Sequence, residues 1–103
     1  MKILDFAKVR VAPIPEIKTQ AEQETVEKAY QALSVMRKQK ADARKSDKAR
    51  KESIFAGFLL EEMLKEKGVE TPIAYAYSKR GKPEVSGAEI SLSHCKKWCA
   101  CIV

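Results

Sequence analysis

No stretch of this sequence approaches the run of roughly 18 apolar residues that a membrane-spanning helix requires. The first residues also lack the long apolar core and the small-residue cleavage site of a secretory signal peptide. Cysteines number only three, an odd count that argues against a framework of disulfide bonds. Together these absences predict a protein of the reducing cytoplasm that has no membrane partner.

Positive charge is concentrated in one short part of the chain. The net charge is +6, and residues 36–52 alone hold eight basic and three acidic residues. Such a field attracts nucleic acid, an acidic lipid or a phosphate-bearing small molecule, although a solvated helix face gives the same pattern. The stretch has no interleaved aromatic residues for base stacking. The only apolar residues of Lys38–Lys51 are alanines, which give too little apolar surface for a membrane helix. A helix-turn-helix arrangement stays open, because a short linker between two helices is compatible with it.

The first half of the chain is predicted to hold a strand and two helices. Loose alternation over Met1–Val11 indicates a short strand, which the prolines that follow it end. Thr19 and Glu22 form a capping box, so a helix should begin there and run to about Val35. Residues 39–47 carry no large apolar side chain, and a linker, a loop and a polar helix all fit them. Ser46 is a candidate N-cap for the next helix.

This next helix is apolar on several faces, which is typical of a central helix packed on two sides. Gly68 supplies its C-terminal stop, and Pro72 prevents it from restarting. Ile73, Tyr75 and Tyr77 then alternate with alanines, as in a strand.

The last third is predicted to be extended. Residues 79–83 form a turn, and residues 90–93 form a short extended segment. Trp98–Val103 is apolar on both faces, which predicts a strand covered on both sides. The chain stops at Val103, within the element that is predicted to be most buried, so it is expected to be half of a larger unit.

His94 and the three cysteines are the candidate metal ligands. Structural zinc sites use two well-separated pairs of ligands, whereas these residues crowd into one segment. Cys99 and Cys101 share a strand face, where cysteine behaves as a small hydrophobe, and Cys95 is expected to be at most partly exposed. His94 is directed away from its strand neighbour Cys95. The sequence therefore predicts no zinc site and no catalytic cysteine.

Several short segments match one known family when they are taken in order. The first is 34–40, SVMRKQK, a serine followed by two spaced basic residues. Arg50 and the run 53–60, SIFAGFLL, come next, followed by Gly81-Lys82-Pro83 and then 91–95, SLSHC. In order and spacing these segments resemble the N-terminal half of the 4′-phosphopantetheinyl transferases of the surfactin-synthetase-activating type.

The resemblance implies a fold and an activity. Those enzymes are pseudo-dimers of two similar halves, so residues 1–103 are expected to form one α+β domain with a small, mainly antiparallel sheet and two main helices. They transfer the phosphopantetheine arm of coenzyme A to a serine of an acyl or peptidyl carrier protein, with magnesium assisting. The expected partners are therefore a carrier protein and either a missing C-terminal half or a second copy of the chain, with no nucleic acid.

The resemblance also implies which residues contact coenzyme A. Arg37 and Lys40 match the two basic residues that contact its 3′-phosphate, and Lys82 matches the lysine that lies against the adenine. Cations, hydroxyls and imidazole are suitable donors for a ligand that carries three phosphate groups. With the turn proline and the Ser-His pair that binds phosphate, the expected contacts are Arg37, Lys40, Lys82, Pro83, Ser93 and His94.

The sequence departs from the family pattern at several places. Ser91 stands where many members have asparagine. Ser53 stands where many have an arginine, for which Arg50 or Lys51 is the expected substitute. The acidic metal ligands of a Gly-x-Asp-x-Glu motif and the later catalytic lysine are absent, so this chain is expected to hold no metal and to transfer nothing alone. The alternative is a non-enzymatic module that uses residues 36–52 to bind coenzyme A, a nucleotide or nucleic acid.

Overall fold

Helices fill the middle of the chain, and strands lie on either side of them. The computed structural model describes residues 4–5, 9–14, 16, 18–71, 73–79, 82–86, 88–95 and 97–103. Within these residues the elements are β1 Leu4–Asp5, β2 Val9–Pro13, α1 Gln20–Gln31, α2 Val35–Asp42, α3 Asp47–Glu66, β3 Ala76–Tyr77, β4 Pro83–Glu84, β5 Ser91–His94 and β6 Trp98–Ile102.

An antiparallel sheet and a separate hairpin make up the β structure. The sheet has the strand order β1-β2-β6-β5, and β3 pairs with β4 in the hairpin. All pairings are antiparallel. The predicted α+β class with a small antiparallel sheet is confirmed, with α2 as a third helix beside the two that were predicted.

Local signals place the helix ends. Thr19 accepts a hydrogen bond from the backbone N–H of Glu22 at the start of α1, and Ser46 accepts one from Ala49 at the start of α3, as predicted. Gly68, with φ +85°, follows the end of α3, where only glycine adopts this conformation readily. Three further residues were predicted to end an element or to form a turn, but they lie outside the described part of the chain: Pro15, Pro72 and Gly81.

The helix predicted to run to Val35 is in fact two helices. α1 ends at Gln31, and α2 begins after Ser34, whose Oγ lies 3.4 Å from the backbone nitrogen of Arg37, which donates to it. The polar stretch that was left open, 39–47, continues α2 as far as Asp42. Ala41 explains this, because it is fully buried while its neighbours Lys40 and Asp42 remain accessible.

α3 is the central element, as predicted from its apolar faces. It packs against α1 and α2 on one side and against β5 and β6 on the other. Ile54, Leu60 and Leu64 are fully buried in the resulting core. By contrast, the strand predicted around Tyr75 is reduced to Ala76–Tyr77, although Ile73 and Tyr75 are buried.

The prediction that β6 is covered on both sides is wrong. Cys99 and Cys101 are buried against α3, but Trp98 and Ile102 on the opposite face are each 44% exposed. In register with them, Pro13 of β2 lies beside Trp98, and Val9 lies beside Ile102. We call this surface the outer sheet face; its members are Val9, Val11, Pro13, Trp98, Ala100 and Ile102. An apolar pattern indicates that a strand face is suited to burial. It does not indicate whether the same chain or another molecule buries that face.

Candidate functional site

The fold brings residues of α2 to the β3–β4 hairpin. The Nζ of Lys40 lies 4.7 Å from the ring centroid of Tyr77, within the range of a cation–π contact. Tyr77 is the cross-strand partner of Pro83, and Lys82 precedes that proline. The backbone N–H of Lys82 donates to the Ser78 hydroxyl at 3.1 Å, which helps to close the turn. We call Lys40, Tyr77, Lys82 and Pro83 the hairpin group.

Lys40 lies in a positive environment. Burial lowers its pKa, and the nearby charges of Arg37 and Arg44 lower it further. Its ammonium form is therefore less stable than that of a fully solvated lysine. An anion beside Lys40 would reverse this effect, because an opposite charge stabilises the protonated amine.

Arg37 is enclosed between α2 and α3 and is only 2% exposed. Its Nη2 donates to the Ser53 carbonyl at 3.3 Å, whereas its Nε has no hydrogen-bond partner among the described residues. The guanidinium lies directly over Gly57, where a Cβ would come within 2.7 Å of the Nε. The structure thus separates Arg37 from the solvent-facing Lys82, although the sequence pattern groups them together.

The face of α3 that contacts Arg37 also carries a buried carboxylate, that of Glu61. Ser53, Gly57 and Glu61 are spaced four residues apart and so lie on one face of the helix. Glu61 is 3% exposed; its carboxylate accepts from the backbone N–H of Ser34 at 2.7 Å and from the Tyr75 hydroxyl at 2.8 Å. This network fixes the start of α2, and with it the direction in which Lys40 points.

Ser93 and His94 lie on β5, but on opposite faces of the sheet. His94 pairs in register with the buried Cys99, and Ser93 pairs with Ala100 of the outer sheet face. The His94 Nδ1 is 3.2 Å from the Glu52 carboxylate of α3. The two side chains of this predicted phosphate-binding pair therefore diverge.

Arg50 lies in a third place, in the first turns of α3. Its Nε is 3.4 Å from the Asp42 carboxylate, and its guanidinium lies 4.7 Å from the ring centroid of Tyr30. Asp42 also accepts from the Tyr30 hydroxyl at 2.7 Å. No contact among the described residues joins Arg50 to the hairpin group or to His94.

A cavity with a volume of about 650 Å³ lies beside Arg50. Residues from four parts of the chain meet here: the segment before α1, α1 itself, the first turns of α3, and the turn between β5 and β6. We call this cavity the basic cleft; it is lined by Glu16, Lys18, Gln23, Val26, Asp47, Lys48, Arg50, Lys51 and Lys97. Of these, only Arg50 and its alternative Lys51 were singled out from the sequence.

A second cavity of about 370 Å³ is apolar. It lies between β2 and the helices α1 and α3, where Phe55, Phe58 and Leu59 line it. Few polar groups converge on it, so the structure gives it no defined chemistry.

Magnesium does not fit the residues that the structure describes. They contain no group of three or more His, Cys, Asp or Glu side chains arranged to hold a metal ion. Carboxylates near His94 and Arg50 are engaged with those cations. We therefore derive no step through a metal.

No helix within the described ranges is long and apolar enough to cross a membrane. The chain matches no protein-family model. No curated protein matches it either. Functional assignment therefore depends on the geometry above and on the resemblance of the short sequence segments.

The cysteines allow a direct test of the fold. Cys99 and Cys101 are buried as predicted, but Cys95 is exposed rather than at most partly exposed, because it follows the end of β5, in the turn that leads to β6. Burial raises the pKa of Cys99 to about 11 and that of Cys101 to about 12. Since the thiolate is the reactive form, we expect one thiol per folded chain to react quickly with Ellman's reagent at pH 8. The other two should react only on unfolding.

A Cys95→Ser variant is the matched control and should abolish the fast phase. Three thiols of equal rate in the folded protein would contradict the burial of Cys99 and Cys101. Stoichiometric zinc in the purified protein would overturn the prediction that these cysteines hold no metal.

Proposed function

We propose that this chain is the nucleotide-binding half of a 4′-phosphopantetheinyl transferase. In this role it binds the 3′-phosphoadenosine end of coenzyme A, while a serine of an acyl or peptidyl carrier protein receives the phosphopantetheine arm. The sequence lacks the Gly-x-Asp-x-Glu metal motif, so a second half supplies the magnesium site and the transfer step. The proposed setting is the cytoplasm.

One observation carries the proposal. Lys40 and the Lys82-Pro83 turn are about 40 residues apart in the sequence, and the resemblance assigns both to the same end of one ligand. The contact of Lys40 with Tyr77, the partner of Pro83 across the hairpin, brings them to one surface. A chance resemblance between short segments would give no reason for Lys40 and the Lys82-Pro83 turn to lie close together in the fold.

The chemistry of this surface suits a phosphorylated nucleotide. Lys40 and Lys82 supply positive charge for the 3′-phosphate, and Lys82 also lies within the turn that is expected to face the adenine. Arg37 contributes its charge from beneath α2, since its guanidinium is enclosed. In this proposal Arg37 adds to the positive electrostatic potential around Lys40 and does not contact the ligand.

The outer sheet face supports the proposed need for a partner. It presents six uncharged side chains in register on two neighbouring strands. Exposed apolar patches of a few hundred Å² commonly mark interaction surfaces. The partner in this proposal is the second half of the enzyme or a second copy of this chain.

The test compares coenzyme A with dephospho-coenzyme A, which lacks the 3′-phosphate. Removing one charge-assisted hydrogen bond costs about 1.5–3 kcal/mol, or roughly 10- to 150-fold in affinity. We expect Lys40→Ala in the full chain to weaken coenzyme A binding by this factor and to change dephospho-coenzyme A binding much less. Lys82→Ala should weaken both ligands, because it also lies against the adenine. Isothermal titration calorimetry measures the affinities of the wild-type chain and of both variants for each ligand.

Lys65→Ala is the matched control. Lys65 lies in the last turn of α3, outside the hairpin group and the basic cleft, and its partner is Glu62 at 3.9 Å. Equal losses from Lys40→Ala and Lys65→Ala on both ligands, with a steep dependence on salt, would indicate a non-specific cationic surface and would refute the site.

A further inference from the structure

The basic cleft carries positive charge that the described residues do not fully neutralise. Five cations and two carboxylates line it, which leaves a net of three positive charges. Lys18 pairs with Glu16 at 3.2 Å, and Arg50 pairs with Asp42. In contrast, Lys48, Lys51 and Lys97 make no direct ion pair with any residue that the structure describes.

The cations converge although they come from distant parts of the chain. Lys51 is on α3, Lys97 is in the turn before β6, and Lys18 precedes α1. All three lysines act on the carboxyl group of Glu16. Lys18 is the main cause that lowers the pKa of Glu16, and the charges of Lys97 and Lys51 lower that pKa further. Like charges brought together in this way repel one another, so a bound anion would stabilise the arrangement.

The first turn of α3 adds to the same field. Asp47, Lys48, Arg50 and Lys51 all belong to the start of this 20-residue helix. The N-terminal end of a helix carries partial positive charge and favours phosphate groups.

The size and lining of the cleft select the class of anion. Its volume of about 650 Å³ falls within the range of small-molecule sites, roughly 300–1,000 Å³. No aromatic residue is found among its described lining, so it has no platform on which nucleic acid bases could stack. The net of three positive charges on the lining falls to two when Asp42, which pairs with Arg50, is counted. A phosphate group carries about −1.5 to −2 charges at neutral pH, so the cleft, with the partial positive charge of the α3 N-terminus, balances between one and two such groups.

We propose that the basic cleft binds a small molecule that carries two adjacent phosphate groups. Lys51 and Lys97 supply the principal contacts, and Lys48 and Arg50 add positive charge at the N-terminal end of helix α3. The family resemblance groups Arg50 or Lys51 with the coenzyme A contacts, but the cleft shares no residue with the hairpin group, and its binding of an anion does not depend on the proposed transferase function.

Inorganic pyrophosphate is the probe, titrated into the full chain by isothermal titration calorimetry at fixed salt. We expect saturable binding of one pyrophosphate per chain. The double variant Lys51→Ala/Lys97→Ala should weaken it by roughly 10- to 100-fold, as expected for the loss of charge-assisted contacts at a partly exposed site. Lys65→Ala/Lys67→Ala removes the same charge from the C-terminal end of α3 and should change the affinity less than about twofold.

Several results would overturn the proposal. The first is an absence of saturable binding, and an equal loss in both double variants would have the same meaning. The second is inorganic phosphate binding as tightly as pyrophosphate, which would remove the requirement for two groups. The third is a ten-nucleotide RNA binding more tightly than pyrophosphate, which would indicate a nucleic acid surface.

The double variant Lys51→Ala/Lys97→Ala also separates this site from the hairpin group. It should leave the preference for coenzyme A over dephospho-coenzyme A unchanged, whereas loss of that preference together with pyrophosphate binding would overturn the existence of a separate cleft site. Failure of the coenzyme A prediction leaves the pyrophosphate result intact, and failure of the pyrophosphate prediction leaves the coenzyme A preference intact.

Discussion

Replacing Glu61 by alanine is expected to lower the free energy of unfolding by about 3 kcal/mol. The carboxylate accepts two hydrogen bonds, from the Ser34 backbone and the Tyr75 hydroxyl. The Tyr75 hydroxyl would be left without a partner in a buried place, and the Ser34 N–H in a partly buried one. Leaving buried donors unsatisfied costs their desolvation penalty. Burial and the charge of Glu61 raise the pKa of Tyr75, so its hydroxyl remains a donor across the accessible pH range. Urea denaturation followed by circular dichroism measures the loss.

The adjacent Glu62 provides the matched control. It lies on the same helix, but its side chain is 44% exposed and its ion pair with Lys65 is a surface one. Such pairs contribute about 0–1 kcal/mol, so Glu62→Ala should change stability by less than 1 kcal/mol. Glu61→Gln, which retains one acceptor oxygen, should fall between the two. Equal losses from Glu61→Ala and Glu62→Ala would contradict the buried network.

Gly57→Val is expected to destabilise the fold by about 3 kcal/mol, the upper end of the range for an overpacked core. Even a Cβ would approach the Arg37 Nε to 2.7 Å, and valine adds two further methyl groups. The higher helix propensity of valine offsets only a few tenths of a kcal/mol. Thermal unfolding gives the size of the loss.

A double-mutant cycle assigns the cause. In an Arg37→Ala background the space above Gly57 is empty, so Gly57→Val should cost less than 1 kcal/mol there. An unchanged cost of about 3 kcal/mol in that background would mean that Arg37 is not the residue in contact. Because Arg37→Ala alone removes a buried side chain, Lys40 rather than Arg37 is the appropriate residue for binding tests.

Features that depend on neighbouring residues in the sequence were predictable. Thr19 with Glu22, Ser46 and Gly68 each act within one turn of helix, so the ends of α1 and α3 followed from local chemistry. Ser34 was noticed for its place in a family pattern, but its spacing before Arg37 is also that of an N-cap. Taken as a cap, it would have divided the long predicted helix in two.

Features that depend on distant residues were not predictable. The burial of Arg37 requires Gly57 from another helix to leave room for it, and no local pattern records that pairing. Lys97 belongs to none of the segments singled out from the sequence, yet the turn after β5 brings it to the start of α3. Tyr77 was assigned only to a strand, because its contact with Lys40 exists only in the folded chain.

The outer sheet face has an optical consequence. Trp98 is the only tryptophan of the chain, and it lies on this uncovered surface with 44% of its area exposed. Indole fluorescence shifts to shorter wavelength when water is removed from the ring. The emission spectrum of the unlabelled protein therefore reports directly on whether another surface covers the sheet, free of any background from a second indole in the chain.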